Sequence, residues 1–334
     1  MTQALEKILN FRDRVLGDEN MAMAFEIVPP PCDMPEDKIL SRTEKMFSVI
    51  SNEMDSIDAF ILPDIDENEL GSDGTKRIRK PVMDPRHYAK ILREQMPSLE
   101  LVLNRRTVKA TLRENEEYLK NMAEHGIFNI IPVGGDSGSS LYPGISPLKF
   151  ADIISNLNGN EAKYFLGGIC IPSRGIIPRN GKYSVSNYNL EPSKLVEKQS
   201  KGIQYFTTQI QYKTDNLFEM WQRYRKKCAG QGVEPSRILV GVSPILDYEN
   251  FSFLKWLGVD IGEEIANYIF SGEQKTAERS IKIIDYELRK FFDHVYGIDG
   301  KAKFGIYVEC TSPKGLSASV ELLGKSKGIA ADYG

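Results

Sequence analysis

The stretch Phe128–Asp136, FNIIPVGGD, joins residue types that can do chemistry. Five of its first six residues are apolar, a run too short for a helix, and the pattern predicts a strand buried on both faces, as in parallel sheets. Gly134 and Gly135 permit a tight turn or a close approach of the backbone to a ligand. Asp136 then stands at the strand's carboxyl end, where open sheets and barrels alike carry their active sites. Strand, glycines, carboxylate and following helix form an active-site layout; a glycine turn with a solvated aspartate is the alternative. Gly135-Asp136-Ser137-Gly138 also spells the nucleophile motif of trypsin-like proteases, but those are all-β and need a histidine partner. The glycines do not fall at the G-x-G-x-x-G spacing of a dinucleotide site.

A second carboxylate has a similar setting. Ala22–Val28 reads as a short apolar strand interrupted by one charge, Glu26, and stopped by Pro29, Pro30 and Pro31. A carboxylate at the end of a buried strand is costly unless it is used or salt-bridged. Gln209 lies near the carboxyl end of the predicted strand Gln204–Gln211. Arg105 and Arg106 follow the strand Leu99–Asn104, where they either bind an anion such as a phosphate or glutamate tail or are solvated. The histidines (His87, His125, His294) and cysteines (Cys32, Cys170, Cys228, Cys310) are scattered, with no C-x-x-C. That argues against a metal site or a Cys/His nucleophile and fits free thiols in a reducing cytosol.

The 334 residues allow one large domain or two ordinary ones, and 41% apolar content supplies a sizeable core. A net charge of −3 argues against nucleic acid, which needs a concentrated basic face. No apolar run approaches the length of a membrane span, and residues 1–20 are charged and amphipathic rather than a signal peptide, so a cytoplasmic protein is expected.

The elements that must position these residues alternate. A helix over residues 2–17 is expected to pack outside the main body or plug one end of it. Helices are predicted at Pro35–Asn52, Pro85–Gln95, Thr111–Glu124, Pro147–Asn156, Glu191–Lys201, Asp215–Gln231 and Gln274–Val295. Strands are predicted between them, the last at Lys303–Glu309, and 65–81 is expected to be a charged flap. About eight strands, nearly all followed by a helix, give the tally of a (β/α)8 TIM barrel. The expected organisation is an N-terminal helix in residues 1–20, the barrel over 21–325 and a tail over 326–334. A doubly wound open sheet is the runner-up. In a barrel, Glu26, Asp136 and Gln209 converge on one mouth from the first, fourth and sixth strands.

The same residues resemble the methylenetetrahydrofolate reductase family. Phe25-Glu26 with Pro29-Pro30 is similar to that family's FE-x-x-PP opening strand, and Gly135-Asp136 to the GD of its LRGD strand end. Leu195, Lys198, Gly202 and Thr208-Gln209 fit its L-x-x-K-x-x-x-G-x-x-x-x-x-T-Q segment, and Gly241-Val242-Ser243-Pro244 its PGI-x-P strand. The resemblance runs from about residue 20 to 310 in order. It implies a (β/α)8 barrel that reduces the methylene bridge of 5,10-methylenetetrahydrofolate to a methyl group with NAD(P)H through FAD. It makes Glu26 the general acid, Asp136 the stabiliser of the iminium that accepts hydride, and Gln209 the pterin anchor. Gly135 and Asp136 also fall on the cofactor side, and Lys198 near a flavin phosphate or ribityl chain.

The departures lie mainly on that flavin side. Gly134 stands where the family has arginine, Val102-Leu103-Asn104-Arg105 replaces its HLTC strand, and Ser173-Arg174 stands where a histidine is expected. Three readings follow: FAD held differently, hydride passed directly from NAD(P)H, or a methyl-pterin bound for another purpose. The last would be a methyltransferase or one-carbon carrier-binding protein, working as a homo-oligomer or with a redox or corrinoid subunit.

Overall fold

The computed structural model describes residues 10–18, 21–65, 68–70, 75–78, 80–134, 143–158, 163–176, 187–272 and 275–333, with 68–70 and 76–78 described by backbone alone. Eight parallel strands close into a barrel: β1 (Ala22–Glu26), β2 (Ala59–Leu62), β3 (Leu101–Arg106), β4 (Asn129–Val133), β5 (Phe165–Cys170), β6 (Tyr205–Thr208), β7 (Arg237–Val242) and β8 (Phe304–Val308). Each pairs with its sequence neighbours, and β1 pairs with both β2 and β8, which closes the ring. The expected (β/α)8 barrel is therefore the fold, and the open doubly wound sheet is not.

Helices ring the strands: α1 (Phe11–Leu16), α2 (Glu36–Ile50), α3 (Pro85–Gln95), α4 (Leu112–Glu124), α5 (Pro147–Asn158), α6 (Leu190–Ser200), α7 (Asp215–Ala229), α8 (Tyr248–Leu257), α9 (Glu263–Phe270), α10 (Thr276–Ile298) and α11 (Leu316–Tyr333). Local chemistry fixes several starts. The Thr111 side chain and Glu114 form a reciprocal capping box on α4, and Asp84 caps α3 ahead of Pro85. None of the helices among the described residues is long and apolar enough to cross a membrane.

Strand alternation divides the core in two. Phe25, Phe60, Leu101 and Ile130 face outward against the helices. Ala24, Ala59, Ile61, Val102, Leu239 and Tyr307 belong to the inner cluster. The barrel's lower end is closed by α1, whose Phe11 and Val15 are buried within that cluster. Phe11 meets Tyr205 edge-on at 5.4 Å, and Tyr205 stacks on Phe165 at 5.0 Å. Arg237 holds the plug by donating to the carbonyl oxygens of Val15 (2.7 Å) and Gly17 (2.5 Å), and Arg14 pairs with Asp58 at 3.0 Å. The expected plugging helix is present over Phe11–Leu16; residues 1–9 of the expected span lie outside the described residues.

One expectation is corrected. The chain does not end in a tail at 326–334, because α11 runs from Leu316 to Tyr333 with Ser326 and Ile329 buried and Tyr333 stacked on Tyr296 at 5.9 Å. This helix covers β8 and completes the last β–α unit. Within 65–81, Asn68–Leu70 and Lys76–Ile78 pair as an antiparallel hairpin, and Trp256 Nε1 donates to the Thr75 carbonyl at 3.1 Å.

Phe11 is wholly buried between two rings, so Phe11→Ala should cost about 3–5 kcal/mol, the usual loss for a buried aromatic. Urea denaturation measures it; a loss below about 1 kcal/mol would mean that α1 does not plug the barrel.

Candidate active site

The carboxyl ends of β1, β8, β7 and β6 lie side by side around the barrel's upper rim. Glu26 ends β1 with only 7% of its surface exposed. The β1–β8 register pairs Ala24 with Tyr307 and Phe25 with Val308, so one step further sets Glu26 opposite Glu309. Neighbouring strands run about 4.8 Å apart. Tyr307, one layer below Glu309, donates its hydroxyl to Glu26 Oε2 at 2.5 Å. On the next strand, a Cβ at Gly241 would lie 2.8 Å from Glu309 Oε1 and 2.7 Å from the Thr208 carbonyl oxygen. Glycine at 241 thus makes the space that the Glu309 carboxyl fills.

Burial pushes the Glu309 carboxyl well above its ordinary pKa, and the charge of Glu26 adds to the shift. Tyr307 is raised by burial and by the Glu26 charge beside it. Burial likewise takes the neighbouring Cys310 thiol up to about 11. Two polar atoms on inward-facing positions near the rim, Asn104 Oδ1 and Ser243 Oγ, are buried without a hydrogen-bond partner. Buried polar atoms are normally satisfied, so these suit a ligand or water in the mouth. Beside Glu26, a cavity of about 270 Å³ opens between the end of β1, α2 and the start of α11, with Ile27, Met46 and Leu316 on its walls. Arg42 and Lys45, three residues apart on α2, supply its positive charge.

The expected site residues are only partly brought together. Glu26 sits in the mouth as anticipated. Gln209 follows β6 on the same rim, its backbone against Gly241, but its Nε2 donates to the Leu257 carbonyl at 2.7 Å. Its side chain lines a small polar cleft with Gln211, Lys213 and Asp260. Gly135 and Asp136 lie outside the described residues. Arg105 and Arg106 lean on Asp64: both guanidinium groups approach its carboxylate at 3.9 Å, and the Arg106 backbone N–H donates to it at 2.9 Å.

Lys198 turns inward, its Nζ donating to the Ile169 carbonyl, and burial lowers its pKa. It lies beside the Arg174–Glu191 pair, which closes at 2.6 Å. Its ammonium is therefore engaged within the wall of the barrel, and Gly134 has no side chain to offer. Among the described residues these flavin-side positions do not fit a grip on FAD phosphates. No group of three or more potential metal ligands occurs among the described residues, and the four cysteines are free thiols.

Glu309 and Tyr307 did not stand out in the sequence. The available signal was the one that marked Glu26, a lone charge closing an otherwise apolar strand. Gly241→Ala should displace the Glu309 carboxyl and press on the Thr208 carbonyl, costing about 1–3 kcal/mol as overpacking does. Thermal and urea denaturation measure it; an unchanged stability would mean that the rim has room to spare.

The comparisons with known proteins converge on this barrel. Its fold is similar to that of an uncharacterized protein from Clostridium thermocellum that binds two copies of 5-methyl-5,6,7,8-tetrahydrofolic acid, with a TM-score of 0.72, 21% identity and coverage of 96% of this chain and 99% of that one. Riboflavin lyase, solved with modified FMN and riboflavin, shares the fold at a TM-score of 0.51 and 10% identity, covering 95% of this chain and 94% of its own. At such identities the likeness is one of fold. No curated protein matches the chain in sequence. Residues 78–296, well over half the length, match the family profile of methylenetetrahydrofolate reductase, and the chain belongs to that family.

Proposed function

We propose that the protein reduces the methylene bridge of 5,10-methylenetetrahydrofolate, or of a related methylene-tetrahydropterin, to the 5-methyl form. The observation that carries this reading is Glu26, a carboxyl buried at the end of β1 and held by Tyr307, in a chain of this family. Opening the five-membered ring needs a proton on the departing nitrogen and a negative charge near the iminium that remains, and a buried carboxyl rim can supply both. Binding of 5-methyltetrahydrofolate by the Clostridium thermocellum protein, on the same fold, supports a tetrahydropterin as the ligand. In this reading Asp136 and Gln209 hold the pterin, and a cation pair at Arg42 and Lys45 suits a carboxylate tail.

The hydride comes from NAD(P)H, directly or through FAD, and the protein works in the cytoplasm. The engagement of Lys198 by Ile169 favours the direct route. It also supports a second reading, in which the barrel binds a methyl-pterin for methyl transfer or carriage, alone or with a corrinoid or redox subunit, and performs no hydride transfer.

Glu26→Gln separates these readings. A reductase should lose about 10²–10⁴-fold in kcat, the usual worth of general acid catalysis, when NAD(P)H oxidation is followed with methylenetetrahydrofolate. A wild-type protein that binds the pterin but oxidises no NAD(P)H would overturn the reductase reading. The visible spectrum of the purified protein, before and after added FAD, tests the hydride route: no flavin absorbance is expected to stay with the protein on gel filtration. Retained flavin would overturn the direct route.

A further inference from the structure

We propose that the cavity between the end of β1, α2 and the start of α11 is a tail pocket. It takes the p-aminobenzoyl-glutamate arm of a folate and selects that arm over the uncharged tails of other pterins. This rests on the tetrahydropterin reading and adds to it the part of the ligand that is not a pterin.

Size and place come first. The cavity holds about 270 Å³. Pockets that enclose a whole drug-sized ligand hold roughly 300–1,000 Å³. It therefore suits one part of a molecule whose remainder lies elsewhere. Phe25 and Ile27 on its wall belong to the outer core beneath the helices, so it lies beside the barrel mouth rather than within it. Glu26 borders both spaces, which meet at the end of β1.

The lining joins apolar walls to positive charge. Phe25, Ile27, Met46 and Leu316 give surfaces that suit an aromatic ring. Arg42 and Lys45 stand three apart on α2 and so share one of its faces. Arg42 is held in place by Nη2, which donates to the Val28 carbonyl at 3.1 Å. A guanidinium has five N–H donors, and among the described residues this bond is the only one Arg42 makes. No carboxylate among the described residues pairs with Arg42 or Lys45. The only acid on the wall is Glu26, whose Oε2 accepts the Tyr307 hydroxyl.

An apolar slot edged by cations selects an aromatic body that carries carboxylates. The p-aminobenzoyl-glutamate arm has that order of groups: a ring next to the pterin, then a glutamate with two carboxylates. With the pterin in the mouth, the ring lies between the apolar walls and the glutamate reaches α2. The free edge of the Arg42 guanidinium takes one carboxylate in charge-assisted hydrogen bonds, and the exposed Lys45 adds its field. A polyol or sugar tail would set hydroxyl groups against the apolar walls and offer the cations no charge, so it is selected against.

The test is calorimetric binding to the full-length protein of two ligands, 5-methyltetrahydrofolate and the tail-less 5,6-dimethyltetrahydropterin. Wild type should bind the folate about tenfold or more tighter, as a charge-assisted contact is worth. Arg42→Met should remove most of that advantage. Lys45→Met should remove no more than about fivefold of it, as exposed ion pairs do. Leu316→Trp fills the cavity from its apolar side without touching a charge, and should also abolish the advantage. It decides alone if Arg42→Met does not fold. No advantage in wild type, or an advantage kept whole in Arg42→Met or Leu316→Trp, would overturn the tail pocket and leave the tetrahydropterin reading standing. Binding of neither ligand would overturn both.

Discussion

The contact between β1 and β8 closes the sheet, and the rest of the molecule depends on it. Without that seam the inner faces of the strands would meet water instead of one another, and β1 and β8 would both be open edges. The seam also sets the chemistry. Its register stacks Ala24 against Tyr307 and brings Glu26 level with Glu309, so one set of backbone hydrogen bonds fixes a fold and a pair of acids together. Small inner residues on β1 and β2 (Ala22, Ala24, Ala59) leave the volume that the rings of Phe11, Phe165, Tyr205 and Tyr307 occupy.

The two ends of the barrel are treated differently. At the lower end the interior is filled by aromatic packing and sealed by Arg237 on the carbonyls of the plug. At the upper end the filling stops at Tyr307, and polar groups begin: Glu26, Glu309, Asn104 and Ser243. Below them lies an apolar core, which keeps the local dielectric low and makes each charge above it count. Lys198 turns to an internal duty in the barrel wall, donating to the Ile169 carbonyl.

Much of this was legible in the sequence. Short apolar runs ended by glycine, proline or a lone polar residue, each followed by a helical stripe, gave the eight units in order. Glu26 was visible because a charge inside the apolar run Ala22–Val28 is costly unless it is used or salt-bridged. Glu309 carried the same signal but stood at the edge of its strand, where a solvated end is ordinary. Only the register of β8 on β1 makes it a partner, and register is a property of pairing, not of one strand. The helix Leu316–Tyr333 was missed because Ser317, Ser319, Gly324, Ser326 and Gly328 blur its stripe; packing against β8 supplies what the pattern lacks. The hairpin in 68–78 has no apolar alternation to betray it. Gln209 shows a further limit: a strand-end position is readable, whereas the turn of its amide to Leu257 depends on a helix end far along the chain.

The measurement that bears most directly on the central claim is a crystal structure of the protein soaked with 5-methyltetrahydrofolate. The account predicts the pterin ring within the circle of strand ends, with a ring nitrogen or the methyl-bearing N5 in contact with Glu26 or Glu309. Pterin density only outside the barrel mouth, with both carboxyls untouched, would contradict it.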